Sequence, residues 1–264
     1  MKAIDLLVTA HDDAGAEQMR STLLERFPGE TEAVMEIRAE RAGRELAKVS
    51  AGGSTLSALL AAPTSAKSAK GAAASAPPTS DLQAYLDLAA KHPELASPAI
   101  LAQVDYLKAE AMFPAYAALR LTQPLPKAIE KKKASLEALL AAYERCSKHG
   151  VAEYARASAH RIGQALIEFG NALAKSERPS ELGEEDRLAY DEVLTEQSYA
   201  FYDRGEDVWS MLLQQASGSA EDPGQWIART REALWPRLAQ RFLYQPEVDY
   251  PLVVATPPAE TNSE

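Results

Sequence analysis

The sequence predicts an all-α fold, and three observations carry that prediction. Alanine and leucine dominate the apolar residues of a chain that is 46% hydrophobic, and straight or small side chains lose little rotamer freedom in a helix. Apolar residues recur at spacings of three and four, most cleanly at Ala155, Ala159, Ile162, Leu166, Phe169 and Leu173. Start and stop signals bracket each such run. With 264 residues, the chain is long enough to bury a sizeable core.

Residues 2–51 read as two or three helices. Ile4, Leu6 and Leu7 precede a turn at His11 to Gly15, Met19, Leu23, Leu24 and Phe27 follow at helical spacing, and Pro28-Gly29 stops that helix. Thr31 to about Ser50 forms another, with Val34, Ile37 and Leu46 as an apolar minority among Glu and Arg, which predicts a helix largely in solvent and a weakly cored block. Between 52 and 79 the composition collapses to Ala, Ser, Thr, Gly, Pro and Lys, too few packing side chains to offset ordering entropy. That stretch reads as a disordered linker, inside which Leu56, Leu59 and Leu60 share one face that a short helix could dock on a neighbour.

Ser80-Asp81-Leu82-Gln83 is a capping-box pattern and opens the main helical domain, 80–245. A helix to about His92 follows. Pro98 starts the next, with Pro114 as a potential interruption before about Arg120, and Pro124 and Pro126 set up a third that Gly150 ends. Val151 to about Lys175 carries the cleanest periodicity. Ser180 and the acidic run Glu184-Glu185-Asp186 mark a further N-terminus, favoured by the helix dipole, and the helix extends to roughly Ala216. Asp222-Pro223-Gly224-Gln225 repeats the start logic, with Pro223 in the first turn, and Pro236 is expected to bend the last helix. The tail, 246–264, reads as extended or disordered.

Charge narrows the partners. Net charge is -10, and from Glu181 onward 17 Asp or Glu face 6 Arg, with no lysine after Lys175. Such a surface repels nucleic acid and anionic lipid, so membrane contact is expected only indirectly. Cys146 is the single cysteine and forms no internal disulfide; no zinc-finger spacing of Cys and His occurs. No run of about 18 apolar residues occurs, and the start lacks a secretory signal.

Two stretches, LLERFPGETEA at 23–33 and LAAKHPELASPA at 88–99, close a helix on an aromatic or His followed by Pro28 or Pro93. In this the chain resembles the tetratricopeptide repeat. Leu7, Ala16, Leu23 and Pro28 fall on its Tyr, first Ala, second Ala and Pro positions, and Tyr85 and Pro93 take its Phe and Pro positions. The pattern departs at Arg20, where an aromatic is usual, at Leu23, and in lacking a starting Trp. Residues 131–209 are similar to the helical region after the repeats in myxobacterial-type envelope proteins, some associated with gliding motility. The resemblance implies helical hairpins at an α-solenoid end, 1–51, followed by an antiparallel bundle. It also implies an envelope scaffold, in the periplasm or cell envelope if the sequence is a C-terminal piece and cytoplasmic if it is complete. An array needs about three units, which favours a piece.

Cys146, His149, Glu153 and His160 would share a face on one continuous helix, but Gly150 is placed to break it. A metal-binding or enzymatic bundle on His149, Glu153 and His160 is therefore the alternative, and no metal or cofactor is expected. No Glu precedes any histidine by three residues, as a di-iron bundle requires, and no GxSxG, HExxH or phosphate-loop motif occurs. Glu184, Glu185 and Asp186 read as a helix first turn, and Lys131-Lys132-Lys133 as a solvated face paired with Glu130 and Glu137. Trp209, Trp226 and Trp235 are either core or partner anchors. The expectation is a non-catalytic interaction scaffold that binds another protein or its own neighbouring domain.

Overall fold

Caps and turn residues set the helix boundaries. The computed structural model describes residues 2–52, 55–60, 80–217 and 222–243. Its elements are α1 (Lys2–Thr9), α2 (Asp13–Arg26), α3 (Thr31–Ser50), α4 (Leu56–Leu60), α5 (Asp81–Lys91), a 3-10 turn (Pro93–Leu95), α6 (Pro98–Ala117), α7 (Leu125–Ser147), α8 (Ala152–Ala174), α9 (Glu184–Gln215) and α10 (Trp226–Leu243). The protein is all-α, with no strand among the described residues. Apart from Gly52 and the segment around α4, the linker reading for 52–79 lies outside the described residues, as does the tail reading for 246–264.

Asp12 caps α2 by accepting from the Gly15 amide at 2.9 Å. Pro28 and Pro93 each lie just past the end of a helix, α2 and α5. Gly150, at φ +73°, turns the chain between α7 and α8 in a conformation that side chains resist. Pro114 and Pro236 sit inside α6 and α10, both of which continue through them. The start of α10 differs from the expectation. Pro223 belongs to a turn and the helix begins at Trp226, yet the Asp222 carboxylate still caps it, accepting from the Trp226 and Ile227 amides at 2.9 Å each.

Among the described residues three cores follow from these faces, and α6 joins two of them. Its N-terminal half contributes Ile100 and Val104 to a core with Met35, Ala42 and Leu46 of α3, Leu56 of α4, and Leu82, Tyr85 and Ala89 of α5. Its C-terminal half contributes Ala109 and Tyr116 to the larger core with Leu136, Leu139 and Tyr143 of α7, Leu166, Phe169 and Leu173 of α8, and Leu194 of α9. Ile167, Trp209 and Leu234 form the third, between α8, α9 and α10. The chain neighbours α6 and α7, α7 and α8, and α8 and α9 pack on one another, whereas α5 packs mainly on α3.

The solvent-borne reading of Thr31–Ser50 is corrected. Met35, Ala42 and Leu46 of α3 are buried in the core that α5 and α6 complete, and Ile37 of the same helix is buried as well. Polar contacts reinforce the seam: Arg38 pairs with Asp81 at 3.3 Å, and the Glu45 carboxylate accepts from the Leu82 amide at 2.9 Å, so α3 caps the N-terminus of α5. The predicted Ser80 cap is present, its hydroxyl accepting from the Gln83 amide at 3.1 Å while donating to the Leu59 carbonyl. Gln83 does not reach back; its amide donates to Asp87 at 2.7 Å.

Candidate functional site

A close crossing of α8 and α9 positions a dense side-chain cluster. A Cβ on Gly163 of α8 would overlap the Trp209 indole, and one on Gly205 of α9 would lie 3.0 Å from the Gly163 carbonyl. With nothing but hydrogen on both, the α8 and α9 backbones approach closely, and Trp209 lies over α8 with its Nε1 donating to the His160 carbonyl at 2.9 Å. The His160 ring stacks on Trp209 with centroids 5.9 Å apart and leans on Trp226 at 5.5 Å. Thr230 donates its hydroxyl hydrogen to the Trp226 carbonyl at 2.7 Å, so it can only accept from His160 Nδ1, 2.9 Å away. That network assigns the Nδ1–H tautomer to His160. Burial, with the Arg161 and Arg229 cations nearby, lowers its pKa to about 4, so it is neutral at pH 7.

The next residue, Arg161, enters a second network. Its Nη2 donates to Glu110 Oε2 at 2.5 Å, its Nη1 to Gln164 Oε1 at 2.8 Å, and its guanidinium lies over the Phe113 ring. Glu110 Oε1 accepts the Tyr143 hydroxyl at 2.6 Å. Burial pushes the Tyr143 phenol up, with Glu110 adding to the effect, so the phenol stays a donor. This network ties α6, α7 and α8 in one register and commits both Arg161 Nη atoms, both Glu110 oxygens and the Tyr143 hydroxyl, while Arg161 Nε is buried without a partner.

Beside these groups an open cleft of about 440 Å³ runs between α8, α9 and α10, lined by His160, Arg161, Gln164, Trp209, Arg229, Glu232 and Ala233. Arg229 stacks on Trp226, 4.7 Å from its centroid. Trp235, one turn beyond Arg231 and Glu232 on α10, is 69% exposed. The adjacent Leu234 is buried, so α10 is anchored while Trp235 projects to solvent.

The three tryptophans therefore part company. Trp209 and Trp226 are buried in the bundle, where Gly163 and Tyr106 receive them. Trp235 alone of the three remains at the surface.

The structure also separates the metal alternative. His149 Nε2 lies 2.9 Å from Asp105 Oδ2, His160 binds Thr230 seventy positions away in sequence, and Glu153 opens α8. Cys146 is buried, its thiol facing the Ala102 carbonyl at 3.3 Å, and burial pushes its pKa up. Among the described residues, no group of three His, Cys, Asp or Glu could hold a metal ion. The turn at Gly150 sends His149 and His160 to different neighbours, so the face that one continuous helix would have presented does not form.

The lysine run is corrected in its middle member. Lys131 and Lys133 are exposed, but Lys132 is 1% exposed. Its ammonium donates to the Leu119 carbonyl at 2.8 Å and the Tyr116 carbonyl at 3.3 Å, and lies over the Tyr116 ring. It thus satisfies carbonyls at the C-terminal end of α6, at the base of an open pocket shared with Glu168 and Asn171. No ion pair joins Lys131 or Lys133 to Glu130 or Glu137.

No family model, curated protein or solved structure matches this chain. Sequence reasoning missed three contributors: Lys132, hidden in a charge run; Glu45, which caps a helix 36 positions later; and the glycines of α8 and α9. Only the glycines left a signal, since a glycine inside a helical pattern costs stability unless packing requires it.

Proposed function

We propose that the chain is a non-catalytic protein-interaction module that holds a partner protein, or a neighbouring domain, at the α8–α10 cleft with Trp235 as the anchor. The observation that carries this reading is the exposure of Trp235 on a helix whose opposite face is firmly packed. A rigidly presented indole offers large contact area at little entropic cost, and tryptophan is enriched among residues that dominate binding energy. Arg231 and Glu232 beside it supply a polar rim, and the cleft supplies relief into which a partner side chain can reach.

Setting the module in a bacterial envelope or motility-type complex belongs to the same proposal. It is supported by the repeat-like closures at Pro28 and Pro93 and by the similarity of residues 131–209 to envelope repeat proteins. The nearly complete internal use of His149, His160, Glu110 and Arg161 supports binding over catalysis, since a reacting group needs a free face toward its substrate. The test is affinity capture with the wild-type chain and Trp235→Ser in parallel, followed by titration of the purified partner. The proposal requires a partner that Trp235→Ser binds at least tenfold more weakly. Equal binding by the two chains would remove Trp235 from the site.

A further inference from the structure

Two adjoining hollows open where the end of α6 meets α7 and α8. The larger, about 510 Å³, has the buried Lys132 at its base, Glu168 and Asn171 of α8 on one wall, and the exposed Arg120 and Lys175 at its rim. The smaller, about 280 Å³, is lined by Arg120, Lys127 and Lys131 and has no carboxylate in its wall. Arg120 and Thr122 border both. The surrounding loops are tied together. The Glu177 amide donates to the Leu121 carbonyl at 2.9 Å, the Gln123 amide to Glu177 Oε2 at 2.8 Å, and Gln123 Nε2 to the Glu177 carbonyl at 3.0 Å. The larger hollow is thus preformed, and its volume falls in the range of small-molecule sites.

Charge decides what such a space can hold. Lys132 and Glu168 offset each other: burial lowers the lysine pKa, and the Glu168 charge opposes that shift. One Glu177 oxygen is taken by the Gln123 amide. Arg120, Lys127, Lys131 and Lys175 are left, and none of their side chains has a hydrogen-bond or carboxylate partner among the described residues. In a chain of net charge -10 this is a local reversal of sign. The four cations come from the α6–α7 loop, α7 and the end of α8, and they converge on a concavity. Solvation accounts for cations on a convex helix face but not for that convergence. Apolar walls at Leu119, Leu121 and Ala172 keep the local dielectric low and focus the field. Neutral donors stand beside the cations. Asn171 Oδ1 accepts the Tyr202 hydroxyl at 3.1 Å, which leaves its Nδ2 hydrogens for a ligand, and Thr122 adds a hydroxyl at the shared border.

We propose that the paired hollows bind a small organic anion carrying two or more negative charges. Arg120 and Lys175 hold one anionic group over the larger hollow, Lys127 and Lys131 hold a second over the smaller, and Asn171 and Thr122 donate hydrogen bonds between them. Phosphate esters and polycarboxylates share this chemistry, and the planar fork of Arg120 matches either. The site shares no lining residue with the α8–α10 cleft, so it stands independently of Trp235.

The test is calorimetric titration of the full chain with pyrophosphate, adenosine triphosphate and citrate in turn, at about 0.15 M salt, where long-range attraction is largely screened. The expected result is saturable one-to-one binding of at least one probe, and the contrast between the phosphates and citrate names the source of the anion. Arg120→Gln/Lys175→Gln is expected to weaken binding about tenfold or more, as loss of charge-assisted hydrogen bonds does. Lys127→Gln/Lys131→Gln, on the smaller hollow, should weaken it several-fold. Lys91→Gln/Lys148→Gln removes two exposed cations elsewhere and is expected to bind like the wild type. Glu168→Gln takes a negative charge from the wall and should tighten binding. Ligand-induced rise of the thermal midpoint gives a second reading, present in the wild type and lost in Arg120→Gln/Lys175→Gln. No saturable binding of any probe at millimolar concentration, or equal loss in the site and control variants, overturns the inference. Loss of binding in Glu168→Gln also overturns it, because the pocket would then be holding a cationic group. Trp235→Ser leaves probe binding intact, whatever its effect at the cleft.

Discussion

Lys132 shows how far a single side chain can depart from its neighbours in sequence. Three consecutive lysines look equivalent, yet rotation by 100° per residue turns the middle one into the bundle, where it satisfies the end of α6. Lys132→Ala leaves the Leu119 carbonyl without its side-chain donor and empties the space over the Tyr116 ring, and it is expected to destabilise the fold by about 1–3 kcal/mol. Lys131→Ala and Lys133→Ala should stay within about 0.5 kcal/mol of wild type, as surface changes do. Urea denaturation of the three variants reads the contrast directly, and equal midpoints would reassign Lys132 to the solvated face. His160 gives a pH-dependent counterpart. Its folded pKa of about 4 lies below the ordinary 6.5, so the unfolded chain binds the extra proton first. Its contribution to stability is therefore present above about pH 6.5 and is lost as pH falls toward 4. Partial solvent screening limits the loss to on the order of 1–2 kcal/mol. Folding stability measured between pH 7 and 4 should fall less steeply in His160→Gln than in wild type, and parallel curves would contradict this.

Between elements, backbone proximity decides what side chains can do. The α8–α9 crossing owes its closeness to Gly163 and Gly205, and the Trp209 indole occupies the space a side chain would need. Gly163→Leu is expected to push Trp209 out and cost about 1–3 kcal/mol or more, with a visible change in tryptophan fluorescence because Trp209 loses its burial. An unchanged emission maximum would mean that the helices part without moving the indole. The same crossing holds α10 in place and with it Trp235, so Gly163→Leu should also weaken partner capture without touching the cleft residues in sequence. Periodicity had marked the α8 face with Leu166, Phe169 and Leu173, and all three are buried. It gave less guidance on Ala155 and Ala159, which are only half-buried, and none on Ser158, which is buried. The reason is that α8 is covered from several sides, by α6, α7, α9 and α10, whereas a one-face pattern assumes a single neighbour.

At the scale of the molecule, the N-terminal helices and the bundle share a core. Leu46 of α3 is fully buried against α5 and α6, so Leu46→Ala is expected to cost about 2–5 kcal/mol. Removing residues 2–51 would uncover Leu82, Tyr85 and Val104, and the truncated chain should show a lower thermal midpoint or associate on gel filtration. A truncated chain that stays monomeric with an unchanged midpoint would mean that the two parts are independent.

What the sequence by itself determined is the all-α class and nearly every helix boundary, because caps, prolines, glycines and apolar spacing act over a few residues and are written locally. Ser80, Pro98, Gly150 and the close before Pro28 all behave as their chemistry requires. Tertiary structure alone decided that α3 is a core helix, that Glu45 caps α5, that Lys132 is internal, and that Trp235 rather than Trp209 or Trp226 faces solvent. Each of these depends on which element lies opposite a given face. That choice is made by burial summed over residues far apart in the chain, and no local pattern encodes it.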